Sequence, residues 1–165
     1  MPRINLDEFT QAYMDAAFWS STIDPYGTCP QCGKDERILC RWDKDQNPVC
    51  EECSDKEPNY EPTADENYSI ADLAPEAFAK MVEDCRVFQS NNEHLFTEDN
   101  CPRVPGECSV TEYAGHDFWL SRNNHGCGFW DGDWKDDIGN LLDKAAEAFG
   151  ECNLYVGDDG RIYLS

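Results

Sequence analysis

Two Cys-x-x-Cys pairs, Cys29-Pro-Gln-Cys32 and Cys50-Glu-Glu-Cys53, limit the folds open to this chain more than any other feature. A Cys-x-x-Cys turn brings two sulfurs within reach of one ion, and Gly33 relaxes the first such turn. Two turns of this kind supply the four soft thiolates that tetrahedral zinc prefers. The stretch 33–49 between them falls in the window of about 15–20 residues common to such sites. The expected ligands are Cys29, Cys32, Cys50 and Cys53. Four protein ligands leave no position for water, so zinc held here is structural and not catalytic.

Between the pairs, RILCRW and the turn DKDQNP read as a short β-hairpin, and residues 28–54 as a whole resemble a zinc ribbon. Iron remains an alternative, since rubredoxin-like sites use the same ligands. Cys40 lies off the paired spacing and is at most a substitute ligand. A thioredoxin-type redox motif needs one Cys-x-x-Cys at a strand–helix junction, whereas two pairs lie here in a loop-rich setting. Ten cysteines in all would suit a secreted disulfide framework. The paired spacing, and an N-terminus MPRINLDEF without the apolar core of a secretory signal, fit metal thiolates and reduced thiols better.

The rest of the chain reads as one α+β domain. Residues 5–21 have helical spacing of Leu6, Phe9, Tyr13, Ala16 and Ala17, with Asn5 as N-cap and Glu8 three residues on. A second helix starts near Pro75 and turns Phe78, Met81, Val82, Cys85 and Phe88 inward. Ser109 followed by Glu112 is a capping-box signal, which predicts a helix over 111–122. The competing reading pairs HDFWLS with CGFWD as a hairpin. Residues 134–149 carry Ile138, Leu141, Leu142, Ala145 and Phe149 on one stripe, with Gly150 at the C′ position. NLYVGDDGRIYLS is a hairpin, and a strand over 127–131 is expected to join it. The predicted architecture is thus helices packed on a small antiparallel sheet, with an inserted four-cysteine zinc ribbon. Residues 1–27 and 61–165 form the core domain; residues 28–60 form the ribbon and an acidic linker.

Charge narrows the function classes. Asp and Glu total 34 against 13 Lys and Arg, for a net charge of −21. That excess is well beyond the magnitude of about 2–8 that serves solubility in a small domain. It repels nucleic acid and anionic membrane and attracts basic surfaces, so direct nucleic-acid or membrane binding is not expected. The candidate partner-binding carboxylates are Asp136, Asp137, Asp143 and Glu147 on the last helix, Asp158 and Asp159 in the hairpin turn, and Glu61, Asp65 and Glu66 in the linker.

Residues suited to chemistry gather in GHDFWLSRNNHGCGFWD: His116, Asp117, Arg122, Asn123 and His125. Histidine beside aspartate can serve as an acid–base pair, and arginine can hold an anion. No nucleophile elbow, phosphate loop or HExxH motif accompanies them, and helix capping or loop hydrogen bonding is the favoured explanation of such polar groups. Asp131, Asp133, Asp136 and Asp137 are expected to favour the N-terminus of the helix that follows rather than to bind metal.

The segments QAYMDAAFWSSTIDPYG, NYSIADLAPEAFAKMVEDCRVFQ, GHDFWLSRNNHGCGFWD and AFGECNLYVGDDGRIYL resemble a family of small acidic proteins encoded by bacteriophages and mobile elements. The resemblance implies an accessory protein in the cytoplasm of a bacterial cell and supplies no catalytic residues. Three functional expectations follow. In the first, the protein binds a basic, nucleic-acid-handling host protein, in the sharpest form as a DNA mimic that inhibits host defence. In the second, it is a zinc-ribbon adaptor between proteins. In the third, it is a small hydrolase or nuclease using His116, Asp117 and His125.

Overall fold

The structure is a computed structural model that describes residues 5–23, 26–29, 31–33, 35–37, 41–42, 48–49, 53 and 63–165. Its elements are α1 (Glu8–Ser20), β1 (Tyr26–Thr28), β2 (Asp35–Arg37), β3 (Arg41–Trp42), β4 (Pro48–Val49), α2 (Pro75–Asn92), α3 (Val110–Arg122), α4 (Asp136–Glu147), β5 (Leu154–Val156) and β6 (Ile162–Leu164). The chain is α+β. It divides into two compact units, one of Met1–Ala17 with Pro75–Asn153 and the other of Phe18–Ala74 with Leu154–Ser165.

In the first unit the packing is helix on helix, around a cluster of aromatic rings. Phe88 of α2 stacks on Phe118 of α3 with centroids 4.1 Å apart. Phe9 of α1 packs against Phe88, Phe96 and Phe118. Phe129 and Trp134 close the cluster from the loop before α4. Full burial of each ring contributes about 1.5–3 kcal/mol, so this cluster dominates the unit's stability. Glycine sets the closest helix contact: a Cβ at Gly115 would collide with the Phe9 carbonyl, so α3 can approach α1 only with glycine there.

Helix ends follow local capping chemistry. α1 is capped by Asp7 and not by the expected Asn5: Asp7 Oδ1 accepts from Thr10 N at 3.0 Å, and Oδ2 accepts from the Thr10 hydroxyl at 2.7 Å. The helix therefore begins at Glu8, later than the apolar spacing implied. At α3, Ser109 Oγ accepts from Glu112 N at 3.0 Å, as the capping-box pattern predicts, and residues 111–122 are helix.

The expected strand over 127–131 does not form. Gly126 and Gly128 take positive φ of 77° and 142°, and Phe129 N donates to Ser121 Oγ at 3.0 Å. The alternation of apolar residues there serves a turn that buries Phe129 and leaves Trp130 exposed.

In the second unit β5 and β6 form a two-stranded antiparallel hairpin with Tyr155 opposite Tyr163. Leu154, Val156 and Ile162 are buried while Tyr155 faces out, as strand alternation requires. Ala74 N donates to the Ile162 carbonyl at 2.8 Å, which ties the hairpin to the chain entering α2. Two further antiparallel pairs, β1 with β2 and β3 with β4, lie in the region of the cysteine pairs. The β3–β4 pair lies where RILCRW and the turn DKDQNP suggested a hairpin, with Pro48 of that expected turn already in β4.

Candidate functional site

The cysteine cluster is built by β1 and the turn that follows it. β1 delivers Cys29, and the Gly33 amide donates to the Cys29 carbonyl at 2.8 Å, closing the turn that carries Cys32. Gly33 has φ of 73°, a left-handed conformation that most side chains avoid. Cys53 packs against the buried Cys29, while Cys32 is exposed. The ligand atoms of Cys29, Cys32 and Cys53 all lie within 4.8 Å of one another. Sulfurs about 2.3 Å from zinc in a tetrahedron sit about 3.8 Å apart, so a small contraction brings these three onto one ion. Cys50, the fourth expected ligand, lies outside the described residues, as does Cys40. None of the eight described cysteines is in a disulfide. Three converging thiols can hold a soft metal ion.

Of the polar residues singled out on α3 and the loop after it, His116 and Asp117 lie together, while Arg122 and Asn123 are taken up in structural hydrogen bonds. Arg122, one candidate for anion binding, is 3% exposed and makes four hydrogen bonds within the protein. Its Nη1 donates to the Tyr13 hydroxyl at 2.7 Å and to Asp84 Oδ2 at 3.0 Å. Its Nε and Nη2 donate to the carbonyls of Gly150 and Phe149, at 2.9 and 3.1 Å, just beyond the end of α4. The guanidinium also lies 5.7 Å from the ring centroids of Phe118 and Phe149. Arg122 thus ties the segment that follows α4 to α3 and neutralises a buried carboxylate. Lys80, one turn before Asp84 on α2, holds the same carboxylate from the solvent side.

Asp117 is 1% exposed and accepts from Trp134 Nε1 at 2.7 Å. Burial pushes its carboxyl above the ordinary value of 3.8, with the charge of Asp131 adding to the effect and the contacts from His116 and Trp134 opposing it. His116 Nδ1 lies 3.7 Å from Asp117 Oδ1. His125 is exposed beyond the C-terminus of α3, whereas His116 lies more than one turn before that end. Asn123 acts structurally, its Oδ1 accepting from Cys152 N at 2.8 Å and its Nδ2 donating to the Trp119 carbonyl.

Among the aspartates before α4, only Asp136 and Asp137 occupy its first turn. Asp133 instead accepts from the Tyr113 hydroxyl at 2.6 Å, and Asp131 accepts from Gly128 N. Asp136, Asp137 and Glu147 are exposed on α4 and Asp143 is half-buried. Asp158 and Asp159 are exposed in the hairpin turn of the other unit, where the Asp159 carboxylate accepts from Arg161 N and the Tyr163 hydroxyl. Asp65 and Glu66 are exposed; Glu61 lies outside the described residues.

The feature that residue patterns did not reveal is the Tyr13–Arg122–Asp84 set. Lys80 and Asp84 pair at i,i+4 on α2, and the arginine reaches the same carboxylate from another helix. Among the described residues, no helix is long and apolar enough to cross a membrane. No family model matches the chain, and neither a curated protein nor a solved structure matches it.

Proposed function

We propose that this is a binding protein, not an enzyme, that engages a basic surface on a nucleic-acid-handling protein of a bacterial host, with a structural zinc ion held by Cys29, Cys32, Cys50 and Cys53. The observation that carries the partner reading is the charge: −21 on 165 residues, with Asp136, Asp137 and Glu147 exposed along one helix. Isolated surface carboxylates contribute little each, but a field of them steers a basic partner and raises its on-rate. A duplex presents one negative charge per roughly 1.7 Å, and proteins that grip it carry lysine and arginine grooves to match. An acidic protein that occupies such a groove excludes DNA from it, which gives a defence inhibitor its simplest mechanism. The resemblance to small acidic phage and mobile-element proteins supports the same reading.

The metal reading rests on three thiols within 4.8 Å of one another. With four thiolates the ion has no open position, so it organises the chain around it and carries out no reaction.

The test is affinity capture from bacterial lysate at low and high salt, followed by competition with DNA for the captured partner. The protein should displace DNA from that partner, less so as salt rises, and charge reversal at Asp136, Asp137 and Asp143 should weaken the displacement. A partner held equally well at high salt, or one that binds DNA undisturbed beside this protein, overturns the reading.

A further inference from the structure

A cleft of about 230 Å³ opens on the first unit between α1, α3 and the loop before α3. Its walls are Ala12, Pro105 and the rings of Tyr113 and His116, with Cys108 and the carboxylates of Asp15 and Glu112 completing the lining. The volume is below the range of about 300–1,000 Å³ typical of sites for drug-sized ligands, and it suits a single side chain. The two rings lie nearly parallel, with centroids 6.1 Å apart and planes 15° from one another, so they present flat surfaces in a common orientation. Asp15 and Glu112 are both exposed.

We propose that this cleft receives one arginine side chain of the basic partner, its guanidinium held between Asp15 and Glu112 against the Tyr113 and His116 rings. The occupant follows from charge complementarity. Two carboxylates and neither lysine nor arginine line the space. A planar guanidinium carries five donors that can meet two carboxylates at once, and it stacks on aromatic faces, whereas an ammonium is a compact point charge that does neither as well. One oxygen of Asp15 already accepts from Gln11 Nε2 at 2.9 Å, which fixes that carboxylate in place.

The electrostatics of the cleft agree. Burial holds the Asp15 carboxyl above its ordinary value, with the charge of Glu112 adding to the rise despite the Gln11 hydrogen bond. The Cys108 thiol is pushed up to about 11, first by burial and then by Glu112. Each group is opposed by negative charge already present, and a bound cation relieves that opposition. This inference deepens the partner reading above and rests on it for the arginine's source.

The experiment needs no partner. N-acetyl-L-arginine methylamide is titrated at pH 8 into the protein as purified, followed by 1H–15N NMR, with the citrulline analogue as the uncharged isostere. The arginine probe should shift the amides of Asp15, Glu112 and Tyr113 with a Kd on the order of 1–10 mM, as expected for one ion-paired, stacked group. The citrulline probe should bind at least about tenfold more weakly. The Asp15→Asn/Glu112→Gln variant should lose the shifts, while Glu98→Gln/Asp99→Asn, at two exposed acids of the same unit that do not line the cleft, should keep them. Equal binding of both probes, shifts that centre elsewhere, or shifts that survive in Asp15→Asn/Glu112→Gln overturn the assignment. If the arginine probe fails to bind while lysate capture stays salt-sensitive, the cleft is refuted and the charge-driven partner reading stands. If the probe binds here and no salt-sensitive partner exists, the cleft stands without that reading.

Discussion

Replacing Arg122 with methionine should cost far more than the loss of an ordinary ion pair. The side chain is 3% exposed and makes four hydrogen bonds: to the Tyr13 hydroxyl, to Asp84, and to the carbonyls of Phe149 and Gly150. Methionine keeps much of the apolar volume between Phe118 and Phe149, so the loss is mainly electrostatic. Removing one partner of a buried pair typically costs about 3–5 kcal/mol, because the remaining charge is left in a poorly solvated site. Lys80 still reaches Asp84, which places the expected cost at the lower end, about 3 kcal/mol. For a chain of this size that corresponds to a fall of about 6–12 °C in Tm. The Arg122→Met/Asp84→Asn double variant should recover part of the loss, since it removes the uncompensated carboxylate. Thermal and urea unfolding followed by circular dichroism would measure both. A loss below about 1 kcal/mol, the scale of an exposed pair, would refute the role assigned to Arg122.

Asp117→Asn tests the other buried carboxylate through its pH dependence. Burial raises the folded-state value above 3.8, so the stability linked to Asp117 is fully present below that value and is lost as pH rises through the folded value. The variant, whose amide can still accept from Trp134, should therefore gain stability relative to the wild type as pH rises from 3.8 toward 7; a difference in Tm that stays constant across that range would contradict this. Gly115→Ala should destabilise by about 1–3 kcal/mol, because the added methyl meets the Phe9 carbonyl across α1 and α3, and a neutral effect on unfolding would show that the helices are not that close.

Local signals in the chain were sufficient where the physics is local. The Ser109–Glu112 cap, Gly150 at positive φ after α4, and the Gly157–Gly160 turn of the β5–β6 hairpin each act within a few residues, whereas of the stripe expected on α4 only Leu142 is buried and Leu141 is exposed. The Cys-x-x-Cys turn at Cys29 is of the same local kind, and the Cys53 sulfur lies within 4.8 Å of the other two, as ligands to one ion would. The strand expected over 127–131 failed because two glycines at positive φ outweighed the alternation of apolar residues. Arg122 was legible only as a polar residue beside a loop. Its partners Tyr13 and Asp84 are 109 and 38 positions away, and nothing near position 122 indicates that the side chain is buried. Asp117 was legible beside His116, which the structure places 3.7 Å away, but its burial and the hydrogen bond from Trp134, 17 positions on, were not.

The zinc-thiolate site is the claim most open to direct measurement. Freshly purified, reduced protein examined by native mass spectrometry and elemental analysis should carry one zinc per chain. Thiol modification should release it, and Cys50→Ser or Cys53→Ser should lower its occupancy. A folded, fully reduced chain that carries no metal and takes up none from added zinc would contradict the account.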